Sequence, residues 1–465
     1  MKLIKSEFKY SLRELLRRAG FIGAIKEIDE GFECMGIKFY YCEKLRQTDH
    51  HPTIIFMKSS PQDWNQLINP QTSKIKWIWI KELFPPGYEK RKYLKIPILF
   101  WGKNIKSKEK SINIISEKTV VFNSDFIAAV FFMLSRWEET VLETRDDHER
   151  FPAQASLAYR NSFLDRPIVD EYALILRSWI QYLLPGWTPQ IKSPSLLLTH
   201  DIDFVRKYTH PLKLGTTLYY QLKNRSNPSE ILSSVRFFIR EIQHPSSSIY
   251  IKGISKLAEI SKRNEVKSIF FFQATDHSKY DSGYSINDPN IQAEIQRIKD
   301  YDFEIGLHPS YKSYDSYKKL AVEKHNLEKQ INQKVKLIRQ HYLRFKVPLT
   351  WQIQSKAGFT TDFSLGYPEM EGFRCGTCHP FHPYDSTNKK EMKILEIPLI
   401  VMDRTLMNYR NMKPKQAFDR MLEIFKRCFE VEGTFSLLWH NSSLLDECRE
   451  WGDMYQSFIE NLANT

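Results

Sequence analysis

From residue 195 onward, short apolar runs alternate with amphipathic stretches, and that alternation constrains the fold more than any other feature of this 465-residue chain. The runs at 195–199 (SLLLT), 268–273 (SIFFFQ), 303–307 (FEIGL) and 335–339 (VKLIR) read as the first four strands. Those at 372–377 (GFRCGT), 395–402 (LEIPLIVM) and 434–439 (TFSLLW) read as later ones. Between them, Ile254–Arg263 and Tyr317–Asn332 carry apolar residues at helical spacing. Strand and helix in turn predict βα units on a parallel sheet. Roughly six to eight such units over about 270 residues fit a closed or distorted barrel better than an open sheet.

The preceding region has a different rhythm. Thr53–Met57, Ile75–Ile80 and Ile96–Phe100 read as strands, and Ser124–Glu139 and Glu171–Leu184 as helices, with Asn123 or Ser124 as the N-cap of the first. Within it, the Ser135–Glu139 segment (SRWEE) reads as a helix end with solvated acids. Pro, Gly and Ser interrupt the pattern at 183–195 (LLPGWTPQIKSPS). The expected organisation is therefore a smaller α/β accessory domain over residues 1–190, followed by the barrel over 191–465.

Composition narrows the setting. The net charge of +13 comes from 68 basic and 55 acidic residues. The bases are spread along the chain, with one run from Lys103 to Lys110, which reads as a solvated surface and not a nucleic-acid footprint. The longest uncharged apolar run, Phe126–Leu134, is far short of the roughly 20 residues a membrane span needs. Lys2, Lys5 and Lys9 break the N-terminus, which lacks a signal-peptide stretch. The six cysteines are too sparse for a disulfide framework. A cytoplasmic, reducing compartment is the expectation.

In a parallel barrel the active site forms where strands end and loops begin. Just past the strand ends stand His200-Asp201-Ile202-Asp203, His308-Pro309-Ser310, Arg339-Gln340-His341-Tyr342 and His440-Asn441-Ser442. A single histidine after a strand is ordinary, but four clusters at the same end of predicted strands point to one site. Asp and His together suit a divalent metal, and a further Asp and His suit proton transfer.

The order and type of these residues resemble the polysaccharide deacetylases, carbohydrate esterase family 4 with the NodB-homology fold. The resemblance covers about residues 194 to 445. Thr199-His200-Asp201-Ile202-Asp203 resembles the first motif of that family, Glu304-Ile305-Gly306-Leu307-His308 half of the second, Arg339-Gln340-His341-Tyr342 the third, and Leu438-Trp439-His440 the last. The resemblance implies a metal-dependent hydrolase that removes an acyl group, N-acetyl first of all, from a sugar or glycan precursor. It implies Asp201 as catalytic base, Arg339 as the group holding that base, His440 as general acid, and Asp203 and His308 as metal ligands. The metal would be zinc, with nickel, cobalt, iron or manganese as alternatives. Tyr342 and Arg374 are the expected substrate-binding residues. The accessory region also resembles segments ahead of such barrels in some bacterial proteins.

The chain departs from the family pattern in two places. Lys312 stands four residues after His308, where the family has its second histidine ligand, and a protonated lysine cannot ligate. The third ligand is left open among Ser310, Ser313, His200 and His341. The fourth motif is not legible, and 372–382 (GFRCGTCHPFH) stands in its place as a wall of the cleft. Its Cys375-Gly-Thr-Cys378-His379 spells a haem-attachment signature, and with His382 a zinc set, but coincidence is the simpler reading of both. A glycosidase would need two carboxylates flanking a sugar bond, and nothing in the spacing of Glu369, Glu371 and Glu396 marks them as that pair. The alternative function is a catalytically weak protein of the same fold that binds glycans or acts as a scaffold.

Overall fold

The computed structural model describes residues 1–463 except 72–74, 89–93, 104, 106–109, 207–210, 224–226 and 244–247, so most of the run from Lys103 to Lys110 lies outside the described residues. In the C-terminal part, eight parallel strand segments form one sheet. Their spatial order is Leu395–Glu396, Thr361–Asp362, Leu337–Ile338, Glu304–Leu307, Ser268–Phe272, Ser195–Ile202, Thr434–Leu438 and Val401–Met402. Every pairing is parallel.

The first and last segments belong to a single stretch of chain. Laid flat, seven steps of roughly 4.8 Å would hold the two edges about 34 Å apart. Five residues of extended chain from Glu396 to Val401 reach at most about 18 Å, so the sheet must curl. The linking residues carry the ladder across the gap. Ile397 N–H donates to Asp362 O (2.9 Å), Leu399 N–H to Leu365 O (3.0 Å) and Ile400 N–H to Ser436 O (3.2 Å). Pro398 has no N–H, so the strand passes from one partner to the other there without leaving a donor unmet.

Helices cover the outside of the sheet, among them Ile249–Arg263, Pro289–Asp300, Tyr317–Ile331 and Pro414–Glu430. Each buries one apolar face, such as Ile291, Ile295 and Ile298, or Leu320, Leu327 and Ile331. The sequence missed the Thr361–Asp362 strand, which is two residues long and polar at both. It expected a strand at 372–377, and there the structure corrects it. Gly372 (φ +131°) and Gly376 (φ +63°) bend the chain into turns, and a Cβ on Gly372 would lie 2.5 Å from Leu164 O.

The N-terminal part is a six-stranded mixed sheet between Lys26 and Phe122, with helices Lys5–Arg18, Phe126–Leu134 and Ile168–Leu183 packed together beside it. Phe126–Leu134 is apolar all round and buried on every side. Its cap is Asp125, whose Oδ1 accepts from Ala128 N–H at 2.9 Å. The expected caps are engaged elsewhere, Asn123 on Lys110 O and Ser124 on Ser111 O. The expected helix 124–139 breaks at Arg136, which adopts the left-handed conformation (φ 52°). Its acids are not solvated: Arg136 pairs with Glu138 and Glu139 at 2.9 Å each, all of them buried.

One hydrophobic core runs through both parts. Polar contacts join them as well: Arg374 to Glu139 (2.6 Å), Arg17 Nη2 to Pro380 O (2.7 Å) and Arg177 to Glu432 (2.6 Å). Residues 184–194 carry neither helix nor strand.

Burial would raise the Glu139 carboxyl, but Arg374 and Arg136 outweigh it and hold it at about 2, below its ordinary 4.5. A carboxyl depressed in this way adds stability above its unfolded value and loses it as pH falls toward the folded one. Stability should therefore decline between about pH 4.5 and 2, with a smaller decline in Glu139→Gln, as read by urea midpoints across that range. Glu139→Ala leaves two buried guanidiniums short of a counter-charge and should cost about 3–5 kcal/mol at neutral pH. An unchanged midpoint would remove this pair from the set of contacts joining the two parts.

Candidate metal centre and active site

Side chains alternate along a strand, so Asp201 and the residue two beyond it leave the Ser195–Ile202 strand toward one side, and His200 toward the other. His200 is wholly buried against Phe270, with Nδ1 on Trp439 O at 2.9 Å. Burial, above all, drops its imidazole to about 3, so it stays neutral in the core and takes no part in the site. Asp203 turns instead toward the neighbouring strand ends. Its Oδ1 lies 3.0 Å from His308 Nε2 and 3.7 Å from His341 Nε2, and its Oδ2 lies 3.5 Å from His440 Nε2.

Each of the three histidines has its other ring nitrogen engaged. His308 Nδ1 donates to Arg339 O at 2.7 Å, His341 Nδ1 meets Asp281 Oδ1 at 2.9 Å, and His440 Nδ1 meets Asp403 Oδ1 at 2.6 Å. Anchored in this way, the rings turn their Nε2 atoms toward Asp203, the arrangement in which a ligating imidazole is usually held.

Asp203, His308 and His341 offer ligand atoms that all lie within 4.8 Å of one another. Bonds of about 2.0–2.2 Å to one divalent cation need donors within roughly 4.3 Å of each other, so small shifts suffice. Asp203 Oδ1 is buried and faces only the Nε2 atoms of His308 and His341, so a cation bound there would replace the proton between Asp203 and His308 as its counter-charge. Burial would raise the Asp203 carboxyl, but His308, His341 and His440 hold it far below the usual range. Burial would lower His308, but Asp201 and Asp203 raise it to about 9. Without a metal, His308 thus holds a proton at neutral pH where the donor set can hold a cation.

The other candidates for the third position are occupied. The Ser310 hydroxyl and N–H both bond Glu323, Ser313 Oγ donates to Ser310 O at 2.7 Å, and Lys312 is exposed. His341 reaches the site through an unusual backbone, in which Tyr342 (φ 60°) and Leu343 (φ 53°) are both left-handed. Consecutive non-glycine residues in that region are costly and cluster at functional sites. The Tyr342 carbonyl accepts from Arg150 Nη1 at 3.0 Å, so a loop of the N-terminal part braces this turn.

Asp201 lies beside this donor set, with Oδ2 3.8 Å from His308 Nε2. Arg339 Nη1 approaches Asp201 Oδ1 at 3.4 Å, while its Nη2 donates to Thr199 Oγ1 (2.9 Å) and its Nε to Phe363 O (3.1 Å). On the other side, Asp403 accepts both the N–H and the Nδ1–H of His440. Burial would lower the His440 imidazolium, but Asp403 raises it above its ordinary value, while Asp403 itself is held at about 2. Asp201, Asp203, His308, His341 and His440 open on one cleft of about 220 Å³, which Tyr342, Arg150 and Arg404 also line, while Arg339 and Asp403 are buried behind it.

Arg374 lies elsewhere. It is 2% exposed, with Nη2 and Nε on the Glu139 carboxylate (2.6 and 2.9 Å) and Nη1 on Gly366 O. No part of it lines the cleft. The cysteine segment is also interior. Asp170, Cys378 and His379 come together, but protein donors already fill Asp170: Thr377 Oγ1 (2.6 Å), Arg18 Nε (2.9 Å) and Cys378 N–H (2.9 Å). The carboxylates considered for a glycosidase are engaged too, Glu396 by Trp351 Nε1 and Leu365 N–H, Glu371 by Arg420, and Glu369 by Ala153 N–H. Sequence reasoning missed Asp403, although it stands just past the 395–402 run, where the same strand-end rule would have found it. Asp281 and Arg150 lie on loops with no such signal.

Elemental mass spectrometry should find metal in the wild type and much less in His308→Ala and His341→Ala, with His200→Ala close to wild type. Asp281→Asn should weaken affinity about 10–100-fold. Wild-type occupancy in His341→Ala would exclude it from the donor set.

Residues 2–185 match the model of a family of unknown function (DUF7033). No curated protein matches the chain. Among solved structures, the chain is similar to a Mycobacterium smegmatis protein described as a polysaccharide deacetylase, at 14% identity and a TM-score of 0.39 over 60% of this chain and 86% of that one. It is also similar to Puue allantoinase, at 13% and 0.38 over 60% and 87%, and to a CE4 family pseudoenzyme of Bacillus anthracis, at 12% and 0.29 over 60% and 62%. At TM-scores of 0.39 and below, these likenesses leave the chemistry to be read from the site itself.

Proposed function

We propose that this protein is a metal-dependent hydrolase that removes an acyl group, N-acetyl first of all, from a sugar or glycan precursor, on a barrel of the deacetylase type spanning about residues 191–465. The observation that carries the reading is the convergence of Asp203, His308 and His341 between an Asp–Arg pair and a His–Asp pair. Asp203, His308 and His341 would hold the metal, zinc by donor type, with nickel, cobalt, iron and manganese as alternatives. When bound, it supplies Lewis acidity toward water and the acyl carbonyl.

The chain's own residues divide the proton transfers. Asp201 takes the proton of the attacking water, and the Arg339 guanidinium keeps that carboxylate oriented. His440 carries a proton on the opposite side and gives it to the departing nitrogen or oxygen of the sugar. Asp403 holds the ring with its Nδ1–H pointed away, so that Nε2 is the atom that donates. Tyr342, 37% exposed at the cleft, offers a ring face for a sugar. The 1–190 part serves the site through Arg150, which bonds the Tyr342 carbonyl.

The test is acetate release from N- and O-acetylated sugars by metal-loaded protein. Asp201→Asn should lose about 10²–10⁴ of the rate with folding and metal content intact. His440→Ala should slow amide substrates more than ester substrates with good leaving groups, and equal losses would contradict its role as acid. Full metal occupancy with no release from any acylated sugar, but with saturable glycan binding, would favour the non-catalytic alternative.

A further inference from the structure

Two helices, Pro211–Lys223 and Pro228–Gln243, leave the body of the protein between the Ser195–Ile202 strand and the Ile249–Arg263 helix, and they pack on each other. The root of the pair is tied down: Ser248 Oγ donates to Val205 O at 2.8 Å and meets Glu241 at 2.9 Å. The outward faces are apolar. On the first helix Leu212 is 77% exposed, Tyr219 61% and Leu222 65%. On the second, Leu232 is 48% exposed, Ile239 47% and Ile242 60%. Both trios have the same spacing, seven and then three residues. Seven residues is about two helical turns and ten about three, so each trio occupies one face.

Single exposed apolar residues need no explanation, but two matched rows on neighbouring helices form a patch that water does not favour. The exposed charges described on the two helices have one sign, while the acids Asp446 and Glu447 lie across from Ser229, Ser233 and Phe237 of the second helix. Among the described side chains of the two helices, the exposed charged ones are Lys223, Arg236 and Arg240, and the acid Glu241 is buried. Tyr219 and Tyr220 add ring-and-hydroxyl side chains of the kind that settle at a membrane–water boundary. A protein partner would have to match Lys223, Arg236 and Arg240 as well as the apolar rows. An anionic bilayer offers both features over any area.

We propose that this helical hairpin docks the protein on the surface of an anionic lipid bilayer. The apolar rows enter the boundary between headgroups and acyl chains, and Lys223, Arg236 and Arg240 meet lipid phosphates. No helix among the described residues is long and apolar enough to cross, so the hairpin lies in the interface plane. The hairpin follows in the chain soon after Asp203 and Phe204, which line the cleft, so docking holds the cleft within a short stretch of chain from the membrane.

The experiment is co-sedimentation of the full chain with vesicles of phosphatidylglycerol and phosphatidylcholine, beside vesicles of phosphatidylcholine alone. Wild type should bind the anionic vesicles more tightly and lose part of that binding as salt is raised. The variant Tyr219→Ser/Leu222→Ser/Ile239→Ser/Ile242→Ser should bind about tenfold more weakly or worse, because it removes apolar area that leaves water on docking. Its melting temperature should match wild type, since these side chains are exposed. Should that variant fail to fold, Arg236→Gln/Arg240→Gln tests the same idea, with loss of the preference for anionic over neutral vesicles. Equal sedimentation of wild type and variants overturns the proposal. So does a wild-type dimer that the serine variant converts to a monomer without any vesicle binding, which would make the patch a contact between copies.

Discussion

The C-terminal architecture depends on one bent strand. Residues 395–402 begin on the ladder of Thr361–Asp362 and finish on that of Thr434–Leu438. Since both ladders are parallel and the crossing takes four residues, the strands between must curl to meet it. The same strand supplies chemistry on either side of the crossing. Its first half sets Glu396 beside Asp362, a buried carboxyl pair that acts on Arg339, and its end delivers Asp403 to His440. The Asp201–Arg339 and His440–Asp403 pairs are thus reached from opposite halves of the closing strand.

Charge in the interior is graded behind those pairs. Asp362 and Glu396 are buried together, and burial raises both carboxyls, Glu396 well above the usual range. Two adjacent carboxyls in a dry interior cannot both ionise, so the pair retains a proton and presents one negative charge to Arg339. That leaves the guanidinium cationic between Asp201 and this half-neutralised pair. Gln354 and Ser364 bond Asp362, while Trp351 and Leu365 bond Glu396, and these donors fix which oxygens remain to share the proton.

Most of the ring was legible because strand period and strand-end chemistry are local signals. Asp201, Asp203, His308, Arg339 and His440 stand just past apolar runs, and the fold brings those ends to one cleft. Thr361–Asp362 was not legible, because a two-residue strand has no period. Arg374 misled for a related reason. Its position after a presumed strand suggested the cleft, whereas two left-handed glycines turn that segment inward, and a buried Glu139 from the N-terminal part holds the guanidinium. His341 was named among four candidates and could not be singled out. What distinguishes it is an anchoring carboxylate, Asp281, sixty residues away in the chain and 2.9 Å away in space. Contacts of that kind arise only after the loops have been laid down by the barrel beneath them.

In the proposed donor set His341 takes the place that the deacetylase motif gives to a second histidine, and this bears on how chains with a broken motif are sorted. Sorting such chains by whether a histidine stands four residues after the first would place this one with the silent members, because Lys312 is there. A cation has no access to chain order. It responds to three lone pairs at suitable distances, and in the proposed set the third would come from the next strand end, on a left-handed turn braced by Arg150 of the N-terminal part. Inventories of extinct active sites drawn from motif spacing alone will therefore overcount wherever a ligand has migrated between loops that share a rim.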